Sequence, residues 1–416
     1  MVLLAYLPEI AAFMMLFMMA TQLPQIGALL ILAGFGLVGL LFVFRTYAFA
    51  DAFRRFWWLL LFPLIAALSG LWSDLPDISF RYGAQFAYTC FVGVLLACVI
   101  SPRRYVQVLV VALFFFCLAC IAYGRQGTSA TGMVLIGLTG SKNQMGYAGQ
   151  LLMLAGVAVL LMRNTPQWVR VIGMLALPLG GYIVWGTNSS TAVLMAFGGI
   201  AVLWALWFSE RLPPGGRLGA IIAGVIMFAP LLLLLPEAIA FGNHFLFDTL
   251  GKDPTLTGRT FLWERADQLI ARKPLLGYGF QAIWMGDSTD TIGLKRLADI
   301  EDGRQFHFHH QFRIVAVDTG LLGLVTFVGA MIFAGLNTIR QMLLRPTVET
   351  SFFFVVFALM VTRAFTDQII GPFNMHTLLF FASGVYAFAK PEPVPAPARQ
   401  TVFGRPLGLQ RPAVQR

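Results

Sequence analysis

Residues 257–279, TGRTFLWERADQLIARKPLLGYG, and 306–312, FHFHHQF, lie in the one long polar interval of this chain, from Pro236 to about Phe312. Four of the five histidines (His244, His307, His309 and His310) are there. On both sides the sequence is apolar in long runs: 58% of the 416 residues are hydrophobic, 12% are charged, and the mean hydropathy is +0.77. A water-soluble protein of this length carries far more charge, so the chain reads as an all-α, polytopic integral membrane protein. The continuity of the runs argues against a barrel, whose strands alternate over roughly ten residues. The polar interval is then a loop held at one face of a bilayer.

At about 20 residues per span, twelve helices fit: 2–20, 24–44, 57–72, 83–100, 105–123, 143–162, 169–186, 191–208, 218–235, 313–336, 351–370 and 373–388. The chain divides into spans one to nine (1–235), the loop (236–312), spans ten to twelve (313–390) and a Pro-rich basic tail (391–416) of disordered composition. The cations test this layout. Arg45, Arg54, Arg55, Arg103, Arg104, Arg163, Arg170, Arg211, Arg217, Arg340 and Arg345 fall on one side with the tail, whereas the short loops of the other side hold only Arg81, Arg125, Lys142 and Arg363. Both termini are therefore expected in the cytoplasm and the loop outside, which for a bacterial inner membrane is the periplasm. The net charge of +10 is mostly topology and calls for no nucleic acid. Met1 runs into an apolar span without a basic flank or cleavage site, so the first helix is expected to stay. Cys90, Cys98, Cys117 and Cys120 all sit in apolar runs and read as small fillers. No internal repeat of the transporter kind is visible.

Ionisable groups in spans are costly and tend to be functional. Asp318, Arg363, Asp367, His376, Lys142 and Asn143 all fall toward the loop side of their spans, whereas an ion-driven carrier places such groups near the midplane. Arg363 and Asp367, four apart, either pair with each other or join a site for an amphiphile with a charged head. In the loop, 260–273 has helix formers throughout and an apolar stripe (Phe261, Leu262, Ala266, Leu269, Ile270), as an interfacial helix on the headgroups would. Arg259 at its start, with Thr257 and Thr260 and free backbone N–H groups, suits a phosphate or diphosphate. The histidines after Phe306 suit a general base, because imidazole titrates near neutrality. A zinc site from His307, His309 and His310, or a structural role at the interface, stays open, although no H-x-x-x-H pair accompanies them.

These motifs resemble the O-antigen ligase and exopolysaccharide polymerase superfamily, the Wzy- and WaaL-like membrane glycosyltransferases. The resemblance spans about 68–388. It rests on Ser69-Gly-Leu-Trp-Ser-Asp74 with Pro76, Gly140-Ser-Lys-Asn-Gln-Met-Gly146, Asn188-Ser-Ser-Thr191, Thr257-Gly-Arg-Thr260 with Trp263, Pro274-Leu-Leu-Gly-Tyr-Gly279, and His309 eleven residues before Gly320-Leu-Leu-Gly323.

The resemblance implies transfer of a glycan from an undecaprenyl-diphosphate donor. Arg259 would engage the diphosphate and His309, or the adjacent His310, would activate the acceptor hydroxyl. Lys142, Arg265 and Arg363 are further cations for the leaving group, and Asn143, Ser189 and Asp318 complete the expected substrate-binding set. The donor arrives activated, so no cofactor is implied. No DxD carboxylate pair is present, so no metal is implied either. Ligases commonly carry a cation after the serine of the 188–191 turn. Its absence here looks more like the exopolysaccharide polymerase branch, and His310, where that branch usually has Asn, leaves open which of the two adjacent histidines reacts. The expected activity is polymerisation of lipid-linked repeat units on a growing glycan, with a chain-length regulator as a candidate partner beside the membrane lipids. The alternatives are ligation to lipid A core and, in another class, a lipid-linked glycan flippase.

Overall fold

The computed structural model describes residues 6–21, 27–129, 132–219, 259–297 and 306–388. The ninth expected span, the loop before Arg259 (with His244, Thr257 and Gly258), and the tail lie outside them. The chain is an all-α, multi-pass membrane protein. Among the described residues, seven helices are long and apolar enough to cross a bilayer, and three more apolar helices are shorter.

The helices that place the site are α1 (Leu7–Ala20), α2 (Gly27–Phe44), α3 (Thr46–Phe56), α4 (Leu61–Leu68), α5 (Pro76–Val99), α6 (Pro102–Tyr123), α7 (Lys142–Leu161), α8 (Gln167–Gly186) and α9 (Ser190–Ser209). After the undescribed stretch come α10 (Arg259–Arg272), α11 (Thr289–Leu297), α12 (Gln311–Leu344), α13 (Val348–Ala364) and α14 (Met375–Tyr386). A short antiparallel hairpin, Arg125–Ser129 with Gly132–Gly137, joins α6 to α7, where the apolar pattern gave no sign of strands. The central helix is α7, which packs on α6, α8, α9 and α13. Its start is fixed locally: Ser141 Oγ accepts from Gln144 N (3.3 Å), and Gln144 Oε1 accepts from Gly140 N (2.8 Å). Two polar residues of the Gly140–Gly146 motif are thus used as a cap.

The expected tenth span is interrupted. In α12 the backbone breaks at Gly320 (φ 62°, ψ −162°). The turn 274–279 is spliced into that break. Tyr278 N and Gly279 N donate to the carbonyls of Val317 and Asp318 (2.9 Å each), and Leu321 N and Leu322 N donate to Pro274 O (2.8 Å) and Leu275 O (3.2 Å). Groups that a broken helix would leave orphaned in an apolar setting are satisfied by the turn. Only glycine fits here: a Cβ on Gly320 would lie 2.3 Å from the Leu275 carbonyl carbon.

The segment 69–74 clasps the same turn. Ser69 Oγ accepts from Phe280 N (2.8 Å), Ser73 Oγ donates to Tyr278 O (3.0 Å), Trp72 Nε1 donates to Leu276 O (2.7 Å), and Lys273 pairs with Asp74 (2.7 Å). Three sequence motifs therefore form one joint that fixes the loop to the bundle.

The loop helix α10 is not laid on headgroups through its apolar stripe, as the sequence suggested. Leu262, Ala266 and Leu269 are buried in a separate small core with Tyr278, Trp284, Phe308, Ile314 and Val317, while Phe261 is exposed. A neighbouring protein surface competes for the same apolar face and wins. The eleventh helix also ends earlier than expected, at Ala364, so Asp367 lies in the turn beyond it.

Candidate functional site

In the segment Phe306-His307-Phe308-His309 the Phe306 ring stacks on His307 (centroids 5.5 Å apart) and meets His309 edge-on (5.3 Å), while Phe308 turns into the loop core. Phe308 is buried against Trp284 in the loop core, and its carbonyl accepts from Trp263 Nε1 at 2.9 Å. His307 and His309 face the turn after α13. His309 adopts left-handed backbone geometry (φ 50°), which non-glycine residues take at some cost. Its N–H donates to His307 Nδ1 at 3.1 Å, and the two rings lie 4.2 Å apart.

Asp367 is the centre of this cluster. Its Oδ2 accepts from Arg363 Nη2 at 2.9 Å, and its Oδ1 lies 3.4 Å from His309 Nδ1 and 3.8 Å from His307 Nε2. The first distance to imidazole is long for a hydrogen bond, and catalytic contacts often tighten only with substrate bound. Burial acts to raise the Asp367 carboxyl, but Arg363 and the two imidazoles outweigh it and hold the group well below the usual carboxylate range. Burial, with His309 next to it, pushes His307 down to about 3, so His307 is neutral at physiological pH.

The turn carrying Asp367 is tied down by Gln311, whose Oε1 accepts from Ile369 N (2.8 Å) and Ile370 N (3.1 Å). Gln311 is the first residue of α12, so the histidine segment and the carboxylate are held by the same helix start. The sequence reading passed over Gln311, because a lone Gln beside a loop carries no local signal. In the sequence His307 stands out only as a zinc ligand beside His309 and His310, and Asp367 only as a partner of Arg363.

The expected residues separate as follows. Arg363 is buried at the end of α13, with its guanidinium 4.4 Å above the Tyr147 ring and its charge on Asp367. Arg259 Nη1 donates to Thr366 O at 3.1 Å, next to Asp367. Asn143, Ser189, Arg259, Arg363 and Asp367 line one cleft, together with Tyr147, Gln150, Thr191, Ala192, Met195 and Thr366. Ser189 caps α9 there, accepting from Ala192 N at 3.4 Å. The starts of α7, α9 and α10 meet at this cleft, so three positive helix ends point at it.

Lys142, Arg265, Asp318, His309 and His310 are not among the lining residues, and His309 meets the cleft only through Asp367. Arg265 is spent on Asp290 and Gln268. Asp318 is buried at the α12 break. His310 turns away: its Nδ1 caps α12, accepting from Arg313 N at 3.5 Å, and its ring packs on Trp263 and Phe365.

His307, His309 and Asp367 offer one ligand atom each within 4.8 Å of one another, a spacing a divalent cation can bridge. Two features oppose it. His307 Nδ1 accepts a backbone N–H, so the neutral ring carries its proton on Nε2, the atom that faces Asp367. Arg363 also already neutralises the carboxylate.

Two comparisons with known proteins bear on this geometry. A family model described as O-Antigen ligase matches residues 174–328, from α8 through Arg259 and His309 to the break in α12. The chain is also 26% identical over 370 residues to the exopolysaccharide production protein ExoQ of Rhizobium meliloti (strain 1021), covering 86% of this chain and 83% of that protein. Together they bear out the resemblance drawn from the motifs, on the ligase side and on the exopolysaccharide side, and they support a role in polysaccharide-related glycan processing.

Proposed function

We propose that the chain is a metal-independent glycosyltransferase that polymerises undecaprenyl-diphosphate-linked repeat units at the periplasmic face of the inner membrane. The observation that carries this reading is His309 set against Asp367, the carboxylate that lines a cleft with Arg259 and Arg363 where three helix starts meet. With Nδ1 of His309 turned to the carboxylate, the proton of the neutral ring belongs on Nδ1, and Nε2 is free to act as base.

The acceptor hydroxyl oxygen attacks the anomeric carbon of the lipid-linked donor as its proton passes to His309 Nε2. The bond from that carbon to the diphosphate oxygen breaks, and the electron pair leaves with the lipid diphosphate. Asp367 stabilises the imidazolium formed. Arg259, Arg363 and the helix starts meet the charge growing on the leaving group, where preorganised cations act most strongly in a water-poor site. Residues 236–312 are the periplasmic loop in this reading, and both termini are cytoplasmic.

Two measurements test it. Purified protein in nanodiscs, given a lipid-linked repeat unit as donor, should extend a second lipid-linked unit; extension of lipid A core instead would favour the ligase activity named in the family description. Arg259→Lys should lower turnover strongly, because an ammonium does not replace a guanidinium fork on a diphosphate. Near-normal turnover would remove Arg259 from the site.

A further inference from the structure

Two residues that line the cleft carry buried polar groups that the fold leaves without a partner. Asn143, Tyr147 and Gln150 stand at i, i+4 and i+7 on α7, so they share one face of the helix, and all three line the cleft. Tyr147 and Gln150 are almost fully buried (2% and 1% exposed). Among the described residues neither Tyr147 Oη nor Gln150 Nε2 has a hydrogen-bond partner. A buried donor left unmade costs free energy that a folded chain rarely forgoes without a purpose.

Their positions are not slack. The Tyr147 ring is held between the Arg363 guanidinium (4.4 Å) and the His376 ring (4.1 Å), which fixes where its hydroxyl points. At Gly146 a Cβ would come within 2.9 Å of Ala192 Cβ, so the starts of α7 and α9 are drawn together over Gln150.

We infer that Tyr147 Oη and Gln150 Nε2 donate hydrogen bonds to the diphosphate of a polyprenyl carrier, forming the inner wall of its binding site and setting its preference for diphosphate over monophosphate. The inference rests on the proposed function and goes beyond it in naming these groups and that preference. Charge decides between the two kinds of oxygen a glycolipid offers. The lining residues carry two guanidinium groups, Arg259 and Arg363, against one carboxylate, Asp367. A sugar hydroxyl would leave that excess positive charge uncompensated in a buried site, whereas a diphosphate neutralises it and accepts from both orphaned donors. In this arrangement one phosphate meets the two arginines and the other meets Tyr147 and Gln150.

The test uses full-length protein in phosphatidylcholine nanodiscs, with farnesyl diphosphate and farnesyl monophosphate as probes. Wild type should bind the diphosphate more tightly. Tyr147→Phe and Gln150→Leu should each weaken diphosphate binding by about tenfold, the scale of one hydrogen bond to a charged group, and leave monophosphate binding within about twofold. The ligand-free Gln150→Leu protein should be at least as heat-stable as wild type, because an unsatisfied amide has been replaced by an apolar group of similar size.

Unchanged diphosphate affinity in both variants would overturn the inference while leaving glycan transfer intact. A Gln150→Leu protein less stable than wild type would overturn it too, since the amide would then be satisfied within the fold. If phosphatidylglycerol in the nanodisc competes with the probe, and the same two variants abolish that competition, the groups serve a bulk-lipid phosphate and the carrier assignment falls. Wild type that binds the diphosphate with the expected preference but transfers no glycan would sink the proposed function alone.

Discussion

Asp367→Asn is the sharpest probe of the site, because asparagine keeps the shape and removes the charge. Asp367 Oδ1 lies 3.4 Å from His309 Nδ1. At that separation, with an effective dielectric of about 20, a carboxylate and an imidazolium attract by about 5 kcal/mol. Arg363, on the other carboxylate oxygen at 2.9 Å, offsets part of this. Taking half as surviving leaves about 2–3 kcal/mol of support for the imidazolium formed as the acceptor is deprotonated. At about 1.36 kcal/mol per tenfold, turnover should fall roughly 30- to 160-fold.

The same change strips Arg363, which is buried, of its counter-ion, at a cost of about 3–5 kcal/mol of stability. Stability and chemistry must therefore be separated. The double variant Arg363→Met/Asp367→Asn should regain thermal stability relative to Asp367→Asn without regaining transfer. The assay is single-turnover transfer from a fluorescent lipid-linked donor in nanodiscs, run well below each variant's melting temperature across pH 5.5–8.5. Turnover within threefold of wild type would refute the carboxylate–imidazole couple.

Three further outcomes are expected. His309→Ala should abolish transfer, whereas His310→Ala should retain it and lose about 1 kcal/mol of stability with the α12 cap; transfer assays and thermal melts of both separate the adjacent histidines. Thermal stability should hold above neutral pH and decline as pH falls below 6.5 toward 3, because His307 binds its proton in the unfolded chain near 6.5 and in the fold only near 3. Asp367, depressed in the fold, adds a further loss only below about 3.8. His307→Gln should flatten the first part of that decline and leave the second. Gly320→Ala should destabilise by more than the roughly 1–3 kcal/mol of its backbone conformation, because the new Cβ also meets the Leu275 backbone at 2.3 Å; a melt within a degree or two of wild type would show that the splice can move.

The sequence by itself determined the solvent this protein lives in, the helical class that solvent imposes, and the set of residues worth suspecting. Hydrocarbon permits few backbone arrangements, so runs of apolar residues are legible without a structure. Cations and histidines stand out against them. The resemblance added which of those residues to set together, and the comparisons agree with it.

Only the tertiary structure decided which histidine faces the carboxylate. That depends on a left-handed backbone at His309 and on an aspartate 58 positions away, and neither leaves a mark on local composition. It also turned three motifs, at 69–74, 274–279 and 320–323, into a single joint, and it moved Arg265 and His310 from expected chemistry to an ion pair and a helix cap. Hydropathy is a property of each segment taken alone. A hydrogen bond across the fold is a property of two segments, and the chain's order does not encode their meeting.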